Sequence, residues 1–444
     1  MSLSSRRSFL TASLAGVAAS AWAQGRRVYP EDPPFQPATI FLTWHRDPTT
    51  TMVVQWIGTQ GETSDYRIFY RPVLTHGAVA QWTSSAGTPG GFGSLISSLT
   101  DWRIQMPVSK PYPKTDFKVF RAELTGLHPG TNYEFRLGKS SPMYRFRTMP
   151  RKATDGFMFV SGGDCGVNQH AVENNQQAAR LSPQFVIIGG DLGYDNGRSV
   201  EVSLAFIRNY SKHMIDTEGR LIPLVPCIGN HEVDGGYGKP RTKAPFFFAL
   251  FDGLFPETSY NTLDFGDYLS LVLLDTGHVS PIGGEQADWL EKTLKARKDH
   301  PNVLAVNHVP AYPSFRNPTS TVPGKAGTGE ENRKYWVPLF DKYRVPVVLE
   351  HHDHTFKRTK PLLDHRADDN GVLYLGDGSW GRLRAAKSPD ELSYLAKSSS
   401  DFHLSLHRLQ GEERFHLAMD SQGRVMDVCR SAQRKTGIIR TTEG

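Results

Sequence analysis

The sequence predicts two domains, an all-β sandwich followed by an α/β layered domain, and three observations carry the prediction. At 444 residues the chain is too long for one ordinary domain, and 38% hydrophobic with 11% aromatic content suffices for two cores. Before Pro150 the apolar residues fall in short β-branched and aromatic segments separated by turn residues. After Gly156 they fall in apolar runs that alternate with longer amphipathic segments.

Residues 1–23 read as a targeting segment rather than structure. Arg6-Arg7 precedes a short, weakly apolar run from Leu14 to Ala19 that ends in Ala21-Trp22-Ala23, a small-x-small cleavage pattern. This is the pattern of a twin-arginine (Tat) export signal, so the mature chain is expected to be exported, periplasmic or extracellular. No later stretch approaches the ~18 apolar residues of a membrane span. Cys165, Cys227 and Cys429, odd in number and far apart, form no disulfide framework. A formal charge of +6 without basic runs interleaved with aromatics gives no support to nucleic-acid binding. Oligomeric state is not legible.

Residues 24–36 read as an extension and 37–150 as the β domain. Its expected strands are Ala38 to Trp44, Thr51 to Ile57, Tyr66 to Tyr70, Phe117 to Leu124, Thr131 to Leu137 and Met143 to Thr148. The stretch Leu127-His128-Pro129-Gly130-Thr131-Asn132-Tyr133 resembles the E–F corner of fibronectin type III domains, where a tyrosine hydroxyl ties back to the corner's backbone. The Gly/Ser/Pro-rich stretch from Thr75 to Lys114 reads as one long loop that could lie over the neighbouring domain.

Residues 151–430 read as the α/β domain, with 431–444 as a tail. Expected strands are Phe157 to Ser161, Phe185 to Ile188, Leu221 to Ile228, Leu269 to Leu274, Val303 to Val306 and Val345 to Leu349. Helices are expected over Asn168 to Leu181, Val200 to Ile215, Gly284 to Ala296 and Asn332 to Tyr343. Chemistry gathers after the strands: Gly163-Asp164-Cys165-Gly166, Gly190-Asp191-Leu192-Gly193-Tyr194, Gly229-Asn230-His231-Glu232, Asn307-His308 and His351-His352-Asp353-His354. Ligands of open α/β sheets collect at strand carboxyl ends. Carboxylates, a phenol, an amide oxygen and imidazoles suit first-row metals and are too many for one ion. Two ions are expected, bridged by a carboxylate, and Asp191 is central in the set. Singly, each block has an ordinary explanation: Asp164 could cap the following helix, Asn230 could serve a turn, His308 could fill the core, and Tyr194 could simply pack.

These five blocks in this order resemble the purple acid phosphatases of the metallophosphoesterase superfamily, in which they read GDxG, GDxxY, GNHE/D, VxxH and GHxH. Leu274-Asp275-Thr276 with Gln286 and Trp289-Leu290, the segment Glu330 to Tyr343, and Asp420 to Asp427 as C-terminal strands also resemble family segments. The resemblance implies a catalytic β-sandwich flanked by helices. A first ion, usually ferric iron, would be held by Asp164, Asp191, Tyr194 and His354. A second, divalent iron, zinc or manganese, would be held by Asp191, Asn230, His308 and His352. The ions, about 3.5–4 Å apart, would share a hydroxide that attacks a small phosphomonoester. His231 would donate a hydrogen bond or proton to the ester oxygen. Other readings are a phosphodiesterase, a PhoD-like alkaline phosphatase, or a silent binding protein on this scaffold.

The chain departs from the pattern at His351, where the last block normally has glycine, and at Phe356-Lys357-Arg358, which replaces Tyr-Glu-Arg. His351 is expected to pack or to support the ligands, and Cys165 to be a small buried residue. Arg316, Lys325, Lys239 and Arg241 lie in loops after the blocks and could reach phosphate.

Overall fold

A computed structural model of the chain describes residues 35–73, 101–153, 156–410 and 413–431, with the backbone alone at 377. The targeting segment 1–23, most of the extension and nearly all of the tail lie outside the described residues.

The first domain is two four-stranded antiparallel sheets. One orders Phe41–Thr43, Met52–Gly58, Lys118–Leu124 and Val108–Pro111, and the other Arg103–Gln105, Ile68–Pro72, Asn132–Leu137 and Tyr144–Arg147. Alternation along Asn132–Leu137 buries Tyr133, Phe135 and Leu137 between the sheets. The expected tyrosine corner is present, the His128 N–H donating to the Tyr133 hydroxyl at 2.8 Å. One expectation is corrected. The stretch from Thr75 to Lys114 is not one loop, because Arg103–Gln105 and Val108–Pro111 each add an edge strand to a sheet. Edge strands carry no buried alternation, and Val108 is 71% exposed, so hydrophobic patterning does not mark them. Residues 74–100 lie outside the described residues.

The second domain stacks two mixed sheets. The first orders Leu224–Pro226, Val186–Ile188, Phe157–Gly162, His403–Gln410, Glu413–Asp420 and Val425–Arg430, its first three strands parallel. The second orders Asn261–Phe265, Leu269–Leu273, Val303–Asn307, Val347–Glu350, Leu373–Asp377, Phe356–Thr359 and Leu395–Ser399, with a parallel run from Leu269–Leu273 to Leu373–Asp377. Helices Gln169–Arg180, Val200–His213 and Glu285–Ala296 match the expected segments. The segment from Asn332 to Tyr343 is instead two short helices, Glu330–Tyr335 and Val337–Lys342, because Pro338 has no N–H to continue the ladder. Asp420 to Asp427 covers the end of one C-terminal strand, the turn at 421–424 and the start of the next strand, with Asp420 accepting the Gln422 and Arg424 N–H groups at 2.9 Å each. Among the described residues no helix is long and apolar enough to cross a membrane, and all three cysteines are free.

The sandwich is fused to the second domain through a shared core. The fully buried Trp44 sits edge-on to Phe185 and Phe265, at 6.0 and 5.8 Å between ring centroids. A tryptophan enclosed this way contributes about 3–5 kcal/mol. Thr43 Oγ1 donates to the Leu224 carbonyl at 2.8 Å, and Arg121 pairs with Asp252 at 2.6 Å. The sandwich therefore braces the strands that lead to Asp191 and Asn230.

Candidate metal centre

Parallel strands from both sheets end at the same edge of the domain. The loops that follow Phe157–Gly162, Val186–Ile188, Leu224–Pro226, Val303–Asn307 and Val347–Glu350 carry all eight site residues expected from the sequence. Five of them have left-handed backbones: Asp164 (φ 57°), Asp191 (φ 54°), Tyr194 (φ 67°), His352 (φ 74°) and His354 (φ 59°). Such a conformation costs a side-chain-bearing residue of order 1 kcal/mol or more, and persists only where the surroundings impose it. Gly190 (φ 98°) also needs this freedom, and a Cβ there would stand 2.6 Å from His308 Nδ1.

Two groups of donors form around Asp191. In the first, His354 Nε2 lies 3.0 Å from Asp164 Oδ1, and the Tyr194 hydroxyl lies 3.0 Å from His354 Nε2 and 3.3 Å from Asp164 Oδ1. In the second, His308 Nε2 lies 3.1 Å from Asn230 Oδ1, 3.0 Å from His352 Nδ1 and 3.3 Å from Asp191 Oδ1. One donor atom each from Asp164, Asp191, His308 and His352 falls within 4.8 Å of all the others, and all four residues are buried. Among the described residues, the enclosed Asp191 Oδ2 has no hydrogen-bond partner. An orphaned carboxylate oxygen facing convergent imidazoles is costly without a cation, so the donor set fits metal ions.

Electrostatics agree with the geometry. Burial raises the Asp191 carboxyl, but His308 and neighbouring imidazoles outweigh it and hold it well below the usual carboxylate range. Burial lowers His308, while Asp191 and Asp164 outweigh that and bring it to about 9. Burial, followed by the charges of His308 and Arg316, drives His352 well below its ordinary value. The Tyr194 phenol is pushed up by burial and then by Asp164 and Asp191, so it ionises only against a compensating cation.

Surrounding groups aim the ligands. His308 Nδ1 donates to the Gly189 carbonyl at 2.9 Å, which turns Nε2 toward the site. The Glu232 carboxylate accepts the N–H groups of Gly229 (2.7 Å), Leu192 (2.7 Å) and Asp191 (2.8 Å), clamping two of the loops together. Asp164 Oδ2 accepts the His352 N–H at 2.8 Å. Asp164 does not cap the next helix, since the cap is Asn168, whose side chain accepts the Ala171 N–H at 3.0 Å. His351 fills the space over Gly163 and Gly189, where a Cβ would meet its ring at 2.7 and 1.9 Å, and its Nδ1 donates to the Asn307 carbonyl. It packs beside the centre and does not join the donor set. Cys165 is buried, its thiol pushed up by that burial.

His231 stands apart. Its N–H donates to Asp191 Oδ1 at 2.8 Å, but its Nε2 is 3.9 Å from Asp191 Oδ2 and its side chain is 34% exposed. Nδ1 is held by Asn196 Oδ1, and the ring lies 4.2 Å from that of Tyr194. It therefore presents Nε2 at the rim.

Of the four loop cations, Arg316 is at the site, donating to the His352 carbonyl at 2.5 Å and to Asp353 Oδ1 at 2.7 Å. Arg241 is not, since it stacks on Phe248 at 3.5 Å and donates to the Thr258 carbonyl. Lys239 is half-buried on its loop and Lys325 is exposed. Sequence reasoning missed Tyr237, whose hydroxyl is 3.3 Å from His352 Nε2, and His278, whose ring supports Tyr237 at 4.7 Å. A tyrosine in the Gly-rich run after Asn230-His231 was the available signal. A cleft of about 590 Å³ opens beside Asn230, Tyr237, Arg316 and His352.

Comparison with known proteins accords with this arrangement. A model described as the purple acid phosphatase N-terminal domain matches residues 37–148, and one described as calcineurin-like phosphoesterase matches residues 163–356. Purple acid phosphatase 21 of Arabidopsis thaliana is 26% identical over 297 residues, 64% of this chain and 64% of that protein. The chain thus spans less than two thirds of that relative's length. An uncharacterized protein of Mycobacterium tuberculosis is 26% identical over 412 residues, 81% of this chain and 71% of its own. In fold, the chain is similar to the purple acid phosphatase PPD1 of yellow lupin seeds (TM-score 0.67, 16% identity, 90% of this chain and 74% of that one). It is also similar to the structure titled PhoD (TM-score 0.58, 11% identity, 92% and 94%). With the donor residues gathered at one edge, the chain carries a purple acid phosphatase N-terminal domain followed by a calcineurin-like phosphoesterase domain, and it is similar to purple acid phosphatases.

Proposed function

We propose that the protein is an exported acid phosphatase that hydrolyses small phosphomonoesters at a binuclear metal centre. The observation that carries the reading is the buried Asp191 Oδ2, without a hydrogen bond among the described residues, between two groups of convergent donors. Asp164, Asp191, Tyr194 and His354 would hold ferric iron, while Asp191, Asn230, His308 and His352 would hold divalent iron, zinc or manganese. A phenol and carboxylates favour the harder ion and imidazoles the borderline one. When bound, such a pair of ions supplies Lewis acidity toward phosphoryl oxygens and activates water for in-line attack.

The chain's own groups orient the ligands. Glu232 and the Gly189 carbonyl fix the ligand loops. His231, held at Nδ1 by Asn196, faces the entering ester with Nε2 and supports proton donation to the leaving oxygen. Metal-loaded protein should turn over phenyl phosphate with kcat/KM at least ~10-fold above that for the phenyl diester. The reverse ranking would favour a phosphodiesterase, and no turnover of either would favour a silent scaffold.

Export rests on Arg6-Arg7 and the cleavage pattern that follows. Replacing both arginines with lysine should leave precursor in the cytoplasm, and normal secretion of that variant would contradict a twin-arginine route.

A further inference from the structure

Beside the centre, residues 378–388 form a strap held by backbone bonds. Trp380 N–H donates to the Gly163 carbonyl at 3.2 Å, Gly381 N–H to the Asp164 carbonyl at 3.1 Å, and Arg384 N–H to the His354 carbonyl at 2.8 Å. Trp380 is fully buried beneath it, and Asn168 and Asn174 donate to the Gly381 and Trp380 carbonyls. The strap is thus fixed to the loops that bear the ligands.

It presents two arginines. The Arg382 guanidinium lies 4.3 Å from the Tyr194 ring centroid, on the tyrosine that itself packs against His231. Arg384 lies 4.9 Å from the Phe315 ring. Among the described residues, neither side chain has a hydrogen bond or an ion pair with a carboxylate. Arg384 also lies in the field of Arg316: burial and then Arg316 lower its guanidinium, while Asp353 and Asp164 act in the other direction. These cations are not needed to balance Asp164 and Asp191, which the metal ions would already neutralise, and a cation beside a cationic centre is unfavourable unless an anion joins them. Glu330 and Glu331 line the cleft together with Arg316.

We propose that Arg382 and Arg384 form an anion subsite beside the metal centre that selects phosphomonoesters whose leaving group carries a second anionic group, a carboxylate or a further phosphate. The inference rests on the phosphatase reading above and adds its substrate class. Arg382 covers the Tyr194 ring against which His231 also packs, and the planar guanidinium suits bidentate contact with either anion.

The test compares 4-carboxyphenyl phosphate with its neutral analogue 4-carbamoylphenyl phosphate on metal-loaded protein. It also measures, by titration calorimetry, the binding of 4-phosphonobenzoate and phenylphosphonate, neither of which is hydrolysed. The native chain should favour the carboxylate member of each pair roughly 10-fold, a preference that shrinks with salt. In Arg382→Gln with Arg384→Gln both ratios should fall to within about 3-fold of unity, whereas a purely structural effect would lower both members of a pair together. Equal handling of the two members by the native chain, or unchanged ratios in the double variant, would overturn the subsite alone. Absence of turnover with either ester would overturn the phosphatase reading instead.

Discussion

The Lys357 ammonium lies 2.7 Å from Glu350 Oε2, with both side chains almost fully enclosed. Glu350 Oε1 also accepts the Ala311 N–H at 2.6 Å, and Lys357 donates to the Tyr312 carbonyl. The pair therefore joins both ends of the loop bearing His352 and His354 to the segment after His308, and it gives a role to the lysine that stands where the family usually has glutamate.

Lys357→Met leaves Glu350 buried without its counter-charge and should cost about 3–5 kcal/mol in denaturant unfolding. Adding Glu350→Gln should restore much of that loss, because the cost is an unpaired charge and not a missing volume. A change below about 1 kcal/mol in the single variant would show that the pair is dispensable.

His231 separates binding from turnover, because its backbone bonds Asp191 while its imidazole faces the rim. His231→Ala should keep its metal content and its affinity for inorganic phosphate while kcat falls roughly 10²–10⁴-fold. Undiminished kcat, or the loss of an ion, would refute this role.

The domain junction should weaken in acid. The His45 ring packs on Gly253, and burial, then Arg121, lower it to about 4, although Glu123 and Asp252 act in the other direction and Arg46 lowers it slightly further. A base whose folded value lies below its unfolded value near 6.5 takes up its proton first in the unfolded chain. Its contribution is therefore full above about 6.5 and is lost as pH falls toward about 4, on the order of 2–3 kcal/mol. Thermal unfolding of the native chain and His45→Gln across that window should show the flatter pH dependence in the variant. Parallel curves would assign the acid sensitivity elsewhere.

Sequence pattern reached furthest where one physical demand dominated. The run Phe185 to Ile188 is apolar because its strand is covered on both faces, and the glycines and Asp191 that follow are legible because a strand end must turn there. Val108–Pro111 was not legible because an exposed edge strand needs no hydrophobic alternation. The break at Trp336 was hidden by apolar spacing that continues across Pro338. Tyr237, Arg382 and Arg384 reach the site from loops, where position follows tertiary contacts and leaves no period in the sequence.

Asp191 is the donor that both groups share, and metal analysis of the purified protein tests most directly whether it serves two ions at once. The native chain should carry close to two transition-metal ions, and Asp191→Asn should lose both, since the amide removes the one negative charge common to both donor groups. A single ion in the native chain, or two tightly held ions in Asp191→Asn, would contradict it.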